Sequence, residues 1–310
     1  MSGSPAEARP GTLDPPPRAG NLSLGLALGL VGVLIFGVTL PVTRIAVLEL
    51  DPLFVTAARA VFAAGLAAGV LVIARVGLPP RDMLPSLAVY GLCVTIGYPL
   101  LMGTAMKVAP ASHGGVVLAV QPLITAMASM WIAGERPSPQ FWACSLAGTA
   151  AALTYAVLSS AGTMELHWAD MLLARAAIAG SYGYTMGGHL TQRVPGWHVI
   201  SWALVMMAPV MALLLLLAPK PEIVQISWTA WASIAFLGMF PMYLGFFAWN
   251  RGLAIGGIAK VGQMQLVQPF ITLAASAVLL GERIGAMEIA FSALVVGLVA
   301  LGSRMRVRRS

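Results

Sequence analysis

Charge is what this sequence has least of. Only 9% of its 310 residues are Asp, Glu, Lys or Arg, while 59% are hydrophobic. A soluble domain carries about 25% charged residues. A chain this poor in charge cannot clothe a globule in polar surface, so most of its exterior must face lipid. Cysteine is nearly absent: Cys93 and Cys144 both fall inside apolar runs, which gives no disulfide framework. The four histidines, at 113, 167, 189 and 198, are scattered, and no Cys/His cluster has metal-ligand spacing, so no metal or other cofactor is expected. No Asp or Glu lies at mid-depth of an apolar run and no HExxH occurs, which removes the catalytic groups of an intramembrane protease and argues against an enzyme. A GxxxxGK[ST] loop is also missing, so the chain does not itself hydrolyse ATP, and no ATPase subunit is implied. The net charge of +7 is no sign of nucleic acid, because the excess sits between apolar runs and in the tail Arg304, Arg306, Arg308 and Arg309 rather than on a soluble domain.

What is present is apolar length. About 20 apolar residues in a helix cross the hydrocarbon core. Runs of this kind lie near 24–43, 53–74, 83–106, 112–133, 139–159, 169–190, 198–218, 228–250, 257–280 and 285–303. The expected class is an all-α integral membrane protein of ten transmembrane helices. With the N-terminus cytoplasmic, twelve Lys and Arg fall inside and four outside (Arg44, Lys107, Lys220 and Arg283), leaving Arg59 and Arg175 within spans. That bias predicts both termini in the cytoplasm and a multi-pass protein of the inner (plasma) membrane. Residues 1–22 are Pro-rich and polar and read as a disordered tail without a signal-peptide core. A first five-helix unit is expected over 23–160, a second over 168–303, and a basic tail over 304–310.

The two units are copies. Gly115–Arg136 reads GVVLAVQPLITAMASMWIAGER, and Gly262–Arg283, 147 residues later, reads GQMQLVQPFITLAASAVLLGER; eleven of the 22 positions are identical. The matches include Gln, Pro, Glu and Arg, which two unrelated apolar helices would not share. Five spans is an odd number, so the second copy enters from the opposite side. Inverted repeats of this kind are a common architecture of secondary transporters. The repeated QP and GER, with DPLFVTAARAVFAA at 51–64 and AMKVAPAS at 105–112, resemble the EamA-type branch of the drug/metabolite transporter superfamily over residues 24–303. The resemblance implies a ten-helix secondary transporter with helices 5 and 10 at the periphery. The superfamily includes exporters of aromatic and neutral amino acids and carriers of other metabolites. It also implies that Arg59 caps backbone carbonyls and pins two helices, beside the other role open to a buried arginine, binding an anionic group.

Polar groups within spans usually face the bundle interior. Gln121–Pro122 and Gln268–Pro269 are repeat equivalents; a mid-helix proline removes a hydrogen bond and kinks the helix, and the Gln beside it serves the freed carbonyl or a ligand. Gln265 and Gln268 are expected to line a cavity. His113 and Lys260, also equivalent, either meet a cargo carboxylate or snorkel to the interface. Among the aromatics at 98, 182, 184 and 243, Tyr98, Tyr182 and Tyr243 are expected deep in the cavity, where hydroxyls need partners. Pro122, Pro269, Arg59, Gly115 and Gly262 are the expected structural and gating positions. A cavity of Tyr and Gln fits a small neutral or zwitterionic solute. Cationic cargo calls for a buried acid and phosphorylated cargo for clustered Lys and Arg, and neither stands out. A static receptor or scaffold is the remaining alternative, and it gains nothing from two interconvertible halves.

Overall fold

The computed structural model describes residues 22–159, 168–221, 226–281, 286–305 and 307–309. The N-terminal tail up to residue 21 and Arg283 lie outside them. Among the described residues seven helical segments are long and apolar enough to cross a membrane: α1 (Leu22–Glu49), α2 (Pro52–Ile73), α3 (Arg81–Met106), α4 (His113–Ile132), α7 (Gly196–Leu217), α8 (Trp228–Gly256) and α9 (Ile258–Leu280). Three more helices complete the order: α5 (Pro139–Ser159), α6 (Trp168–Leu190) and α10 (Ala286–Ser303).

The helix starts follow from short-range chemistry. Pro52 sits in the first turn of α2, where its missing N–H costs nothing, and the Asp51 carboxylate accepts from Leu53 N at 2.8 Å. Ser227 caps α8, its Oγ accepting from Ala230 N at 3.2 Å. The Glu49 carboxylate accepts from Ser227 N and Ser227 Oγ, so the end of α1 is tied to the start of α8.

Four long helices are not regular, and the irregularities coincide with prolines. α3 widens into a π-type turn over Leu92–Gly97 just before Pro99, and α8 does so over Phe240–Leu244, around Pro241. α4 tightens to a 3₁₀ turn at Leu118–Val120 before Gln121–Pro122, and α9 at Gln263–Val267 before Gln268–Pro269. Proline lacks an N–H and its ring crowds the carbonyl four residues back, so the ladder re-registers at each of these points. The offset of 147 residues carries 118–120 onto 265–267 and 92–97 onto 239–244. The repeat seen in the sequence is therefore also a repeat of backbone geometry.

Glycine sets how the helices meet. α1 and α8 cross in close contact: a Cβ on Gly25 would stand 2.6 Å from Gly256 Cα, and one on Gly252 would stand 2.9 Å from Gly29 N. α4 and α9 pack with the start of each against the later part of the other. Gly115 faces Thr272, Gly262 faces Thr125, and Thr125 Oγ1 lies 3.5 Å from Gln265 Oε1. Thr272 Oγ1 donates to Gly37 O at 2.7 Å and binds α1 to the same seam. α2 packs on α7, α3 and α4 on α6, and α10 on α5. Outward-facing side chains such as Ile73 and Val278, both 84% exposed, present the apolar face that lipid requires.

The basic segment expected over 304–310 holds a short strand. Val307–Arg309 (β2) pairs antiparallel with Glu135–Pro137 (β1), Arg136 opposite Arg308. Backbone pairing between segments 170 residues apart leaves no periodic trace in so short a stretch.

Gly25→Ala places a methyl group against backbone that no rotamer can move aside. It should cost about 1–3 kcal/mol and lower the melting temperature in detergent. Gly65→Ala, with nothing within 4 Å of the new atom, should leave it unchanged or raise it.

Candidate functional site

Two apolar clusters fill the helical body. One holds Val33, Tyr90, Val94, Tyr184 and Trp249, and the other holds Leu40, Tyr98, Met102, Met106 and Leu237. Where they meet, α1, α2, α3, α6 and α8 leave a narrow, partly open cavity of about 30 Å³. α1 contributes Phe36 and Thr39, and α2 contributes Arg59. Val94 comes from the irregular part of α3 and Tyr98 and Pro99 from just after it, Pro241 and Met242 from that of α8 and Phe246 from just after it, and Gly180 and Tyr184 from α6. The two π-type turns thus open onto one space.

One side of the cavity is aromatic. Phe36 stacks on Tyr184 with ring centroids 5.7 Å apart and 10° between planes, and Phe246 closes on both at 5.2 and 5.9 Å. Trp249 backs this box at 5.8 Å from Phe36 and 5.4 Å from Tyr184. The other side is polar. Arg59 is 3% exposed; its Nε has no hydrogen-bond partner and it forms no ion pair among the described residues. Thr39 Oγ1 is likewise buried without a partner. Gly180 is small because two side chains converge on it: a Cβ there would lie 2.5 Å from Gln121 Nε2 and 2.9 Å from the Tyr98 ring.

The residues expected to work together fall into separate places. Tyr98 and Arg59 line the cavity, and Gln121 reaches its edge beside Gly180. Gln265 and Gln268 are buried at the α4–α9 seam with Pro122, Pro269, Gly115 and Gly262, and are not in the cavity lining. Tyr182 is 39% exposed and points away from the cavity. Two residues are about 200° of helical turn, so Tyr182 and Tyr184 cannot face the same way, and the inward face is that of Gly180, Gly183, Tyr184 and Gly187. Tyr243 is buried, but its hydroxyl pairs with Ser201 Oγ of α7 at 2.9 Å; the cavity takes its neighbours Met242 and Phe246 instead. His113 Nε2 lies 2.6 Å from Asp170 Oδ1, joining α4 to α6, and Lys260 is half-buried in the first turn of α9. Phe36, Thr39, Tyr184 and Phe246 were missing from the expected set.

A further buried group lies away from the cavity. Glu135, 1% exposed, follows α4 and grips the start of α9: its two carboxylate oxygens accept from Ile258 N at 2.8 Å and Ala259 N at 2.6 Å. These amides have no partner within their own helix, and a carboxylate there also meets the positive end of the helix dipole. Gly134 and Gly257, both at positive φ, bend the chain on either side of this contact.

The EamA-like transporter family model matches residues 23–157 and again 167–303. The chain belongs to this family. Its relatives include "Uncharacterized transporter YdeK" of Bacillus subtilis, 41% identical over 89% of this chain and 96% of that protein. "Probable amino-acid metabolite efflux pump" of Salmonella typhimurium is 29% identical over 91% of this chain and 96% of that protein. "Aromatic amino acid exporter YddG" of Ancylobacter novellus is 27% identical over 79% and 83% respectively. A solved crystal structure superposes with a TM-score of 0.73 at 22% identity, covering 90% of this chain and 98% of that one, which shows that the fold is shared. As an EamA-like transporter, the chain has a doubled family match that coincides with its doubled backbone irregularities.

Glu135→Ala removes two charge-assisted hydrogen bonds and should cost about 2–4 kcal/mol. Hydrogen exchange read by mass spectrometry should quicken at 258–262 while the centre of α2 stays protected. Unchanged exchange at 258–262 would show that the contact does not hold the start of α9.

Proposed function

We propose that this EamA-like transporter is a secondary exporter of small metabolites, with neutral and aromatic amino acids as its leading cargo, working by alternating access through the central cavity. In this reading ten spans form two inverted five-helix halves, residues 23–160 and 168–303, in the inner (plasma) membrane with both termini cytoplasmic. The observation that carries it is the α4–α9 seam. Gly115 meets Thr272 and Gly262 meets Thr125, two contacts that an offset of 147 residues exchanges for one another. A pair of helices lying start to end, with interchangeable contacts, is what a two-fold axis in the membrane plane produces. Halves related in this way have two equivalent arrangements, one open to each side.

The cargo follows from the cavity walls and from the relatives' names. Phe36, Tyr184 and Phe246 offer flat apolar area for a side chain, and Tyr98, Thr39 and Arg59 offer polar groups at the other end. The Ancylobacter relative is named an aromatic amino acid exporter, and an aromatic box suits the same cargo here. Cationic drugs fit less well, since the lining carries a cation and no acid among the described residues, and a single Arg is a poor match for a phosphorylated solute. Partners are then the solute and the bilayer.

Purified protein in liposomes preloaded with labelled phenylalanine, leucine or lysine should release the first two without nucleotide. Tyr184→Ala should slow release about two- to tenfold, given the 0.5–1.5 kcal/mol typical of an aromatic contact beyond its area. Efflux no faster than from protein-free liposomes for every solute would overturn the assignment.

A further inference from the structure

From the lack, among the described residues, of a partner for Arg59 and of any acid in the same walls, we infer that the EamA-like transporter recognises its cargo by the carboxylate and not by the amine. Its cargo class is then organic monocarboxylates with an apolar or aromatic body, α-amino acids being one case. The inference rests on the cavity being the cargo site.

Arg59 is deep in the bundle. It lies seven residues past Pro52, about 10 Å along a helix that rises 1.5 Å per residue, and it is buried. A guanidinium stays charged in proteins, and a charge left unpaired in such surroundings is costly. A structural arginine would spend its donors on carbonyls or a carboxylate. Arg44 of this chain does so, donating to Met106 O at 3.1 Å and to Ala109 O. Among the described residues Arg59 Nε has no partner and no ion pair satisfies the group, so none of them supplies the bonds that pinning two helices would use. The charge instead borders the cavity beside Tyr98 and the unpartnered Thr39 Oγ1.

The planar fork of Arg matches a carboxylate with two parallel N–H bonds. The cargo's body then falls toward Phe36, Tyr184 and Phe246. No Asp or Glu among the described residues lines the space to receive an ammonium, which leaves it hydroxyl groups and ring faces, partners weaker than the paired N–H bonds that Arg59 offers a carboxylate.

The test is binding to the purified full-length protein by isothermal titration with three probes of one body: phenylalanine, 3-phenylpropionate and 2-phenylethylamine. The two carboxylates should bind within about threefold of each other and the amine at least about tenfold more weakly. Arg59→Met, close in length and without charge, should abolish the preference for the carboxylates while its melting temperature holds or rises, because an unpaired buried charge has been removed. Arg59→Lys, which keeps the charge and loses the fork, should bind the carboxylates at intermediate strength. If the amine binds as tightly as phenylalanine, or 3-phenylpropionate fails where phenylalanine binds, carboxylate recognition is overturned while the cavity remains a cargo site. If Arg59→Met melts lower and binds all three as wild type does, Arg59 is a structural residue and the inference fails. If none of the three binds to wild type, the cavity is not a site for this cargo and both readings fall.

Discussion

Gly115 and Gly262 bring α4 and α9 together until each helix meets a threonine of the other, and α1 and α6 are tied to that seam. Inside a bilayer there is no hydrophobic gain from covering one apolar helix with another, so association depends on close packing and on the few hydrogen bonds that packing permits. The seam has both. Thr272 donates to Gly37 of α1, Thr185 Oγ1 of α6 lies 3.4 Å from Thr125 O, and Ser181 of α6 donates to Gln121 O. Two small hydroxyl residues of α6 therefore hold α4, while Thr272 ties α9 to α1. The cavity is the space left beside this construction, where Pro99 and Pro241 have already loosened the helical ladders of α3 and α8.

Two buried charges show how differently the chain treats ionised groups. Glu135 is matched by two backbone amides at distances expected of charge-assisted bonds. It ties the end of α4 to the start of α9, next to the β1–β2 pairing that engages the C-terminal segment. Arg59 sits at similar burial with no such match and faces a cavity. The first arrangement is complete without a ligand; the second is completed by an anion. Under the alternating access proposed above, satisfied charges mark contacts that break and re-form, and an unsatisfied one marks where binding energy enters.

Much of this was legible in the sequence, and the rest was hidden for identifiable reasons. The apolar runs and the Gln-Pro pairs are local patterns, and among the described residues helices and irregular turns stand where they point. The cavity face was harder to read. In a soluble helix polarity marks the outward side, but α6 is apolar or small on nearly every side, so nothing local separates Tyr182 from Tyr184. The π-type turns of α3 and α8 insert a residue and shift the face that follows, which turns Tyr243 toward Ser201 and gives its expected place to Met242 and Phe246. His113 and Asp170 are 57 residues apart, and Glu135 and Ile258 are 123 apart, separations at which only the fold reveals a pair. Phe36 and Thr39 looked like ordinary spanning residues because their importance lies in what packs against them.

The central claim is that the second half enters the membrane upside down relative to the first. The most direct measurement places a topology reporter in the stretch 160–167, between the two halves, and a second after Ser310, each in an otherwise intact chain. The account predicts that the first reports the outside and the second the cytoplasm. Both reporters in one compartment would contradict it.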